Sequence, residues 1–257
     1  MKNPYKNSRA NGSGQLLIVA ALAIAILISS TTIYVYELSR ERQSVEDAPL
    51  GDFILAVKQG TRNAVISALA NVTKGGEKTL LAENLNTLIE AYLSLNQHGI
   101  SRLSYAFPED QNYEGGVRIA WSRDGFGISS AYADFTLAVY GLTANITSAY
   151  TVNITTTITL SGYYVVGEEG KIVSITCRVF NEGEPALARN IALHYKDGDA
   201  EVWTPVNPSS LMVTDYGNGT YNMSFTAAAS SASLEVSAHV QDLRGILVKA
   251  NTICHQI

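Results

Sequence analysis

Cysteine and histidine are scarce in this chain, two and four among 257 residues. Cys177 and Cys254 allow at most one disulfide, and the neighbouring Cys254-His255 has no companion pair at zinc-ligand spacing. His98, His194 and His239 stand singly. Charge is sparse as well, at 16% against 46% hydrophobic residues, a balance that excludes disorder throughout. The length leaves room for an anchor and one or two domains of about 100 residues each. The formal charge is −5, although Lys2, Lys6 and Arg9 precede the first acid, so the remainder is more acidic still. An acidic surface does not displace counterions from a phosphate backbone, which excludes a nucleic-acid partner.

Catalytic motifs are missing too. There is no Gly-x-Ser-x-Gly elbow, no His-Glu-x-x-His and no P-loop, since Gly75-Gly76-Glu77-Lys78-Thr79 lacks the upstream glycine spacing of a phosphate cradle. Asp197-Gly198-Asp199 with Glu201 lacks the twelve-residue pattern of a calcium loop and reads as a polar hairpin turn. Asp110 and Glu114 are loop acids with no visible partner. The expectation is a protein with no catalytic residues, no cofactor and no metal, and not an enzyme.

What is present begins at Leu16, where 21 positions through Tyr36 carry no charge. A helix of that length rises about 30 Å, the thickness of a hydrocarbon core. Basic residues precede it and Glu37, Glu41, Glu46 and Asp47 come after it, so the positive-inside bias places the N-terminus in the cytoplasm and the remainder outside. Tyr34 and Tyr36 would sit at the outer interface. Two other readings remain open. Ser29 to Thr32, after the 13-residue apolar run Leu16–Ile28, fit the cleavage zone of a secretory signal. The short basic leader, the glycines and the apolar helix also resemble a type IV pilin-like precursor, which is cut before the helix. The resemblance covers about the first 40 residues, and neither Gly12 nor Gly14 follows a basic residue or has a glutamate five positions on.

After a juxtamembrane stretch over 37–48, periodicity becomes helical. Phe53, Val57, Thr61, Ala64, Val65, Ala68, Leu69 and Val72 recur at three- and four-residue steps until Gly75-Gly76 breaks the run. A second helix is expected over Glu77–Gln97, with Leu81, Leu85, Leu88, Tyr92 and Leu95 on one stripe. Both stripes are expected to cover a sheet of their own domain. From about Ser101 the period drops to two. Tyr150, Val152, Ile154, Thr156, Ile158 and Leu160 alternate with Thr or Asn, Ala133, Phe135, Leu137 and Val139 alternate likewise, and Val117–Trp121 with Gly127–Ser130 flank an Arg123-Asp124-Gly125 turn. Residues 49–161 thus read as an α+β domain, two helices followed by antiparallel strands.

Residues 162–257 read as an all-β domain, with strands near Lys171–Phe180, Asn190–Tyr195, Glu201–Thr204, Tyr221–Thr226, Ser233–Gln241 and Ile246–Ile253 between Gly- and Asn-rich turns. Gly217-Asn218-Gly219-Thr220-Tyr221 leading into alternating apolar residues resembles the turn-into-strand of prokaryotic immunoglobulin-like modules, and Val240 to Gly245 resembles their final hairpin. The resemblance covers about a third of the chain and implies an immunoglobulin-like β-sandwich that spaces or binds. Antibody hallmarks are missing, with Ala238 where a second core cysteine would stand and no tryptophan in the strand after Cys177. Cys177 faces inward beside Ile175 and Val179 and is a candidate for a disulfide with Cys254, with a buried free thiol as the alternative.

Candidate N-glycosylation sites stand at Asn71, Asn145, Asn153, Asn218 and Asn222 in the expected exterior, whereas Asn11 falls on the inner side. Taken together, the features resemble an archaeal-type membrane-anchored surface protein. The expected role is a non-catalytic, single-pass structural or adhesive module of an envelope or pilus-like assembly, with membrane lipid, other surface proteins and further copies of itself as partners. The alternative is a membrane-tethered accessory subunit of a transport, secretion or surface-layer complex.

Overall fold

In a computed structural model, residues 32–33, 51–95, 100–140, 145–198 and 202–257 are described. The apolar segment Leu16–Tyr36 lies outside them except for Thr32 and Ile33, which are helical and exposed, and the leader and juxtamembrane stretch lie outside entirely. Among the described residues no helix is long and apolar enough to cross a membrane. The chain divides into Met1–Leu55 and Ala56–Ile257, and every described strand, with the described helices from Ala56 onward, belongs to the second unit.

Helix α1 is described over 51–72. It buries Val57, Thr61, Val65, Ala68, Leu69 and Val72 of the expected stripe, with Phe53 and Ala64 half-buried. Thr61 belongs in that stripe because its hydroxyl bonds the Lys58 carbonyl at 2.9 Å and the Tyr150 hydroxyl at 3.2 Å, leaving no unpaired polar atom. Helix α2, Leu80–Leu95, starts three residues later than expected and buries Leu81 and Leu85. Gly60 lets the helices approach, since a Cβ there would lie 2.2 Å from the Tyr92 hydroxyl oxygen.

Four strands come next in the chain: β1 (Ile100–Ala106), β2 (Val117–Trp121), β3 (Phe126–Tyr140) and β4 (Asn145–Gly167). β3 pairs antiparallel with the other three. The helices lie against this sheet: Tyr105 donates to the side-chain oxygen of Asn86 at 3.1 Å, and the Lys58 ammonium sits 5.1 Å from the centre of the Tyr150 ring. Alternation does what was expected of it. Ala133, Phe135, Leu137 and Val139 on β3 and Val152, Ile154, Ile158 and Leu160 on β4 are all buried.

β4 is the pivot of the fold. Residues 145–159 pair with β3, and residues 156–167 pair with β5 (Gly170–Asn181) on the opposite edge. The boundary expected at 161/162 therefore falls inside one continuous strand. The remaining strands are β6 (Glu184–Pro185), β7 (Ala188–Asp197), β8 (Thr204–Pro205), β9 (Met212–Asp215), β10 (Thr220–Ala227), β11 (Leu234–Asp242) and β12 (Leu247–Gln256). The hydrogen-bonded order is β8-β7-β11-β12-β4-β5-β10-β9, and the sheet curls over one core. Val173, Ile175, Cys177 and Val179 of β5 share that core with Val236, Ala238 and Val240 of β11 and Val248 and Ala250 of β12. The expected antiparallel arrangement has one exception, for β12 meets β4 in parallel through His255 with Tyr163 and Gln256 with Tyr164.

A buried ion pair fastens the β11–β12 turn to β4. Asp242 is fully buried and accepts bonds from the backbone N–H of Arg244 (2.9 Å), the N–H of Ile246 (2.9 Å), the Arg244 Nε (2.8 Å) and the Thr156 hydroxyl (3.0 Å). Arg244 also reaches Glu182 at 2.6 Å and the Thr155 carbonyl at 3.2 Å.

Candidate functional site

The outer face of β7, β11 and β12 is where chemistry collects. Register places Ser237 between His194 and Asn251, and His239 between Ala192 and Lys249. Side chains two positions apart on one strand share a face, so this face carries two histidines, a lysine, an asparagine and a serine side by side. The core face of the same strands is apolar, with Leu193, Val236, Ala238, Val240, Val248 and Ala250 buried.

Tryptophans wall this face at both ends. Trp121 ends β2, and its position is set by backbone contact between the β2–β3 hairpin and β12: Asn251 donates to the Ser122 carbonyl at 3.0 Å, and Gly125 donates to the Asn251 carbonyl at 2.8 Å. Gly127 makes that approach possible, because a Cβ there would stand 2.1 Å from the Lys249 carbonyl oxygen. The indole N–H donates to Ser129 Oγ at 3.1 Å, and that hydroxyl donates to the Leu247 carbonyl at 2.7 Å, so the ring is held. Trp203 precedes β8, whose Thr204 and Pro205 pair with Tyr195 and His194 of β7. Between the tryptophans lies a groove of about 500 Å³, within the range of small-ligand sites. Its floor is three strands wide, about 10 Å from β7 to β12.

The electrostatics are uneven. His194 and His239 rings lie 4.5 Å apart between centroids. Burial pushes the His239 pKa down to about 4, helped by the Lys249 charge and by His194, and burial with Lys249 lowers His194 as well. Both rings are therefore neutral at neutral pH. His194 Nδ1 is buried without a hydrogen-bond partner. Lys249 Nζ lies 4.9 Å from the centre of the Trp121 ring, and Lys196 Nζ lies 5.6 Å from that of Trp203. Lys196 is paired with Glu235 at 3.3 Å, and the exposed Arg123 touches the same carboxylate at 3.9 Å. Among the described residues no carboxylate pairs with Lys249. No protein-family model and no curated protein matches the chain.

The residues singled out from sequence are distributed elsewhere. Cys177 and Cys254 are both buried in the core and are free thiols, with pKa values pushed up to about 12 by burial. Cys254 pairs with Leu234 near the C-terminal end of β12. Asn71, Asn145, Asn153, Asn218 and Asn222 are all exposed. Asn218 Oδ1 accepts the Thr220 backbone N–H at 3.1 Å, and Asn153 Oδ1 accepts the Thr155 hydroxyl at 3.2 Å. Asp197 anchors the 230–231 loop through both serine N–H groups, which hold its carboxyl down at about 2. Asp199 and Glu201, like His98, lie outside the described residues. Glu114 has a partner after all, Lys78 at 2.5 Å. Among the described residues no group of three metal-ligating side chains occurs.

The hairpin that carries Trp121 and the strands that carry His239 and Lys249 were legible in the sequence, but the groove was not. One signal was available. Glu235, Ser237, His239 and Gln241 alternate with valines and alanines of the core, and Glu235 and Ser237 are themselves buried. Polar residues buried on a second face mean that something covers them.

Proposed function

We propose that this chain is a non-catalytic, membrane-anchored surface protein whose last third is an immunoglobulin-like β-sandwich displayed for binding. The observation that carries the reading is strand order. The C-terminal part of β4, then β5, β10 and β9, run in the A-B-E-D order of the immunoglobulin fold, and β12, β11, β7 and β8 run in its G-F-C-C′ order. Gly219, with φ of 78°, stands at the turn into β10, where the resemblance to prokaryotic modules begins. Such domains present surfaces for recognition, and a preformed groove flanked by two indoles is suited to holding a ligand. Anchoring rests on the uncharged segment Leu16–Tyr36 and the charge asymmetry around it. Five exposed Asn-x-Ser/Thr acceptors suit an exterior that carries glycans.

The test is topology. Intact cells carrying the chain with a tag at each end are treated with external protease, and membranes are washed with carbonate. The C-terminal tag is expected to be removed, the N-terminal tag to be protected, and the chain to stay with the membrane. Release by carbonate, or a C-terminal tag that survives on intact cells, overturns the reading.

A further inference from the structure

We propose that the groove between Trp121 and Trp203 is a binding site for an acidic saccharide, a pyranose ring bearing a carboxylate. The inference rests on the surface-binding reading and names the ligand class for it.

Three features point to this ligand. The walls are indoles, and the C–H faces of a pyranose present a flat, weakly positive surface that complements the negative face of an aromatic ring. The floor offers separated donors and acceptors, from Asn251 and the two neutral imidazoles, which suits a ring with hydroxyls around its rim. Among the described residues that line the groove the single uncompensated charge is Lys249, partly buried against Trp121, and one carboxylate matches one ammonium.

The same features disfavour other ligands. An extended peptide binds by adding a strand to a sheet edge, whereas this groove lies on a sheet face whose central strand β11 is already paired on both sides. A phosphate group carries up to two charges and is recognised by arginine forks or clustered backbone N–H groups, and the floor presents one lysine.

Both tryptophans of the chain line this groove, so intrinsic fluorescence reports on it directly. The detergent-solubilised full chain is titrated with trimers of galacturonate, glucuronate and mannuronate, with the neutral trimers of galactose, glucose and mannose, and with sodium acetate. At least one acidic trimer is expected to give a saturable emission change that weakens with added salt, and to bind about tenfold or more tighter than its neutral counterpart. Lys249→Met keeps the aliphatic stem over Trp121 and should remove that preference while leaving the neutral trimer's weak binding unchanged. Trp203→Ala, at a partly exposed site, should weaken acidic and neutral trimers alike, and a melting curve confirms that each variant is folded. The proposal is overturned if no acidic trimer saturates, if acidic and neutral trimers bind equally, if acetate competes as well as a trimer, or if folded Lys249→Met retains the preference. The protease assay does not depend on this titration, so a failed titration leaves the topology reading standing, and a failed topology assay leaves the groove's selectivity measurable.

Discussion

Removing the Asp242 carboxylate should be among the most damaging single substitutions in the chain. Asp242→Ala strips the acceptor from the N–H groups of Arg244 and Ile246, from Arg244 Nε and from the Thr156 hydroxyl. Breaking a buried ion pair by removing one partner costs about 3–5 kcal/mol, because the other charge is left in low dielectric. Arg244 retains Glu182 and the Thr155 carbonyl, which favours the lower end, about 3 kcal/mol. Arg244→Met leaves Asp242 three of its donors and should cost about 2–3 kcal/mol. Because both variants disable the same pair, the double variant should cost about 1–2 kcal/mol less than their sum. Against a total stability of about 5–15 kcal/mol for a domain, each effect is large. Urea unfolding of the solubilised full chain at pH 7, followed by tryptophan emission, measures all four corners of the cycle. A loss below about 1 kcal/mol for Asp242→Ala, or strict additivity, would refute the idea that this pair fastens the β11–β12 turn to β4.

Acid should weaken the fold through His239. Its folded pKa is about 4 against 6.5 in the unfolded chain, so between those values only the unfolded chain is protonated, and stability falls as pH drops through that window. With the ring half-buried and screened by solvent, the loss is roughly 1–2 kcal/mol, and His239→Gln should flatten the corresponding slope of melting temperature against pH. Cys177 and Cys254 should resist iodoacetamide in the folded protein and react fully in urea, as read by mass spectrometry, since burial raises both thiols to about 12. Gly127→Val should push the β2–β3 hairpin off β12, lowering stability by about 2–4 kcal/mol and shifting tryptophan emission to the red, whereas the same substitution at Gly51, with open space around it, should leave emission unchanged.

Strands that bury one face were legible because alternation is a local property. The Tyr150–Leu160 pattern required nothing beyond the residues themselves. β9 was illegible for the opposite reason: Met212 to Asp215 are all exposed, so no alternation marks them, and they form a strand only by pairing with Tyr221–Ser224. The boundary at 161/162 was drawn where the α+β pattern gave way to an all-β one, at a glycine, Gly162. Its actual role is close packing. A Cβ at Gly162 would lie 2.3 Å from Ile175 Cδ1 and 2.9 Å from Cys254 Sγ, so glycine is what lets β4 continue through the crowded junction. The same local pattern, a glycine between apolar runs, serves a break and a tight crossing equally well.

The groove was hidden because it is a product of that continuity. β3 holds one edge of β4 as far as Thr159, and β12 takes the same edge from Tyr163 onward, while β5 runs along the other. Two strands that succeed one another along a single edge must meet end to side. The β2–β3 hairpin accordingly runs into β12, where Asn251 is bonded through both its N–H and its carbonyl to the hairpin backbone. That junction carries Trp121 to the face on which His194 and His239, 45 residues apart in sequence, are made neighbours by the β7–β11 register. Neither the hairpin nor the β7–β11–β12 strands hold the site alone: one supplies a wall, the others the floor and the far wall. A ligand site built this way depends on the unbroken strand β4 between them, which holds β3 and β12 end to side along one edge.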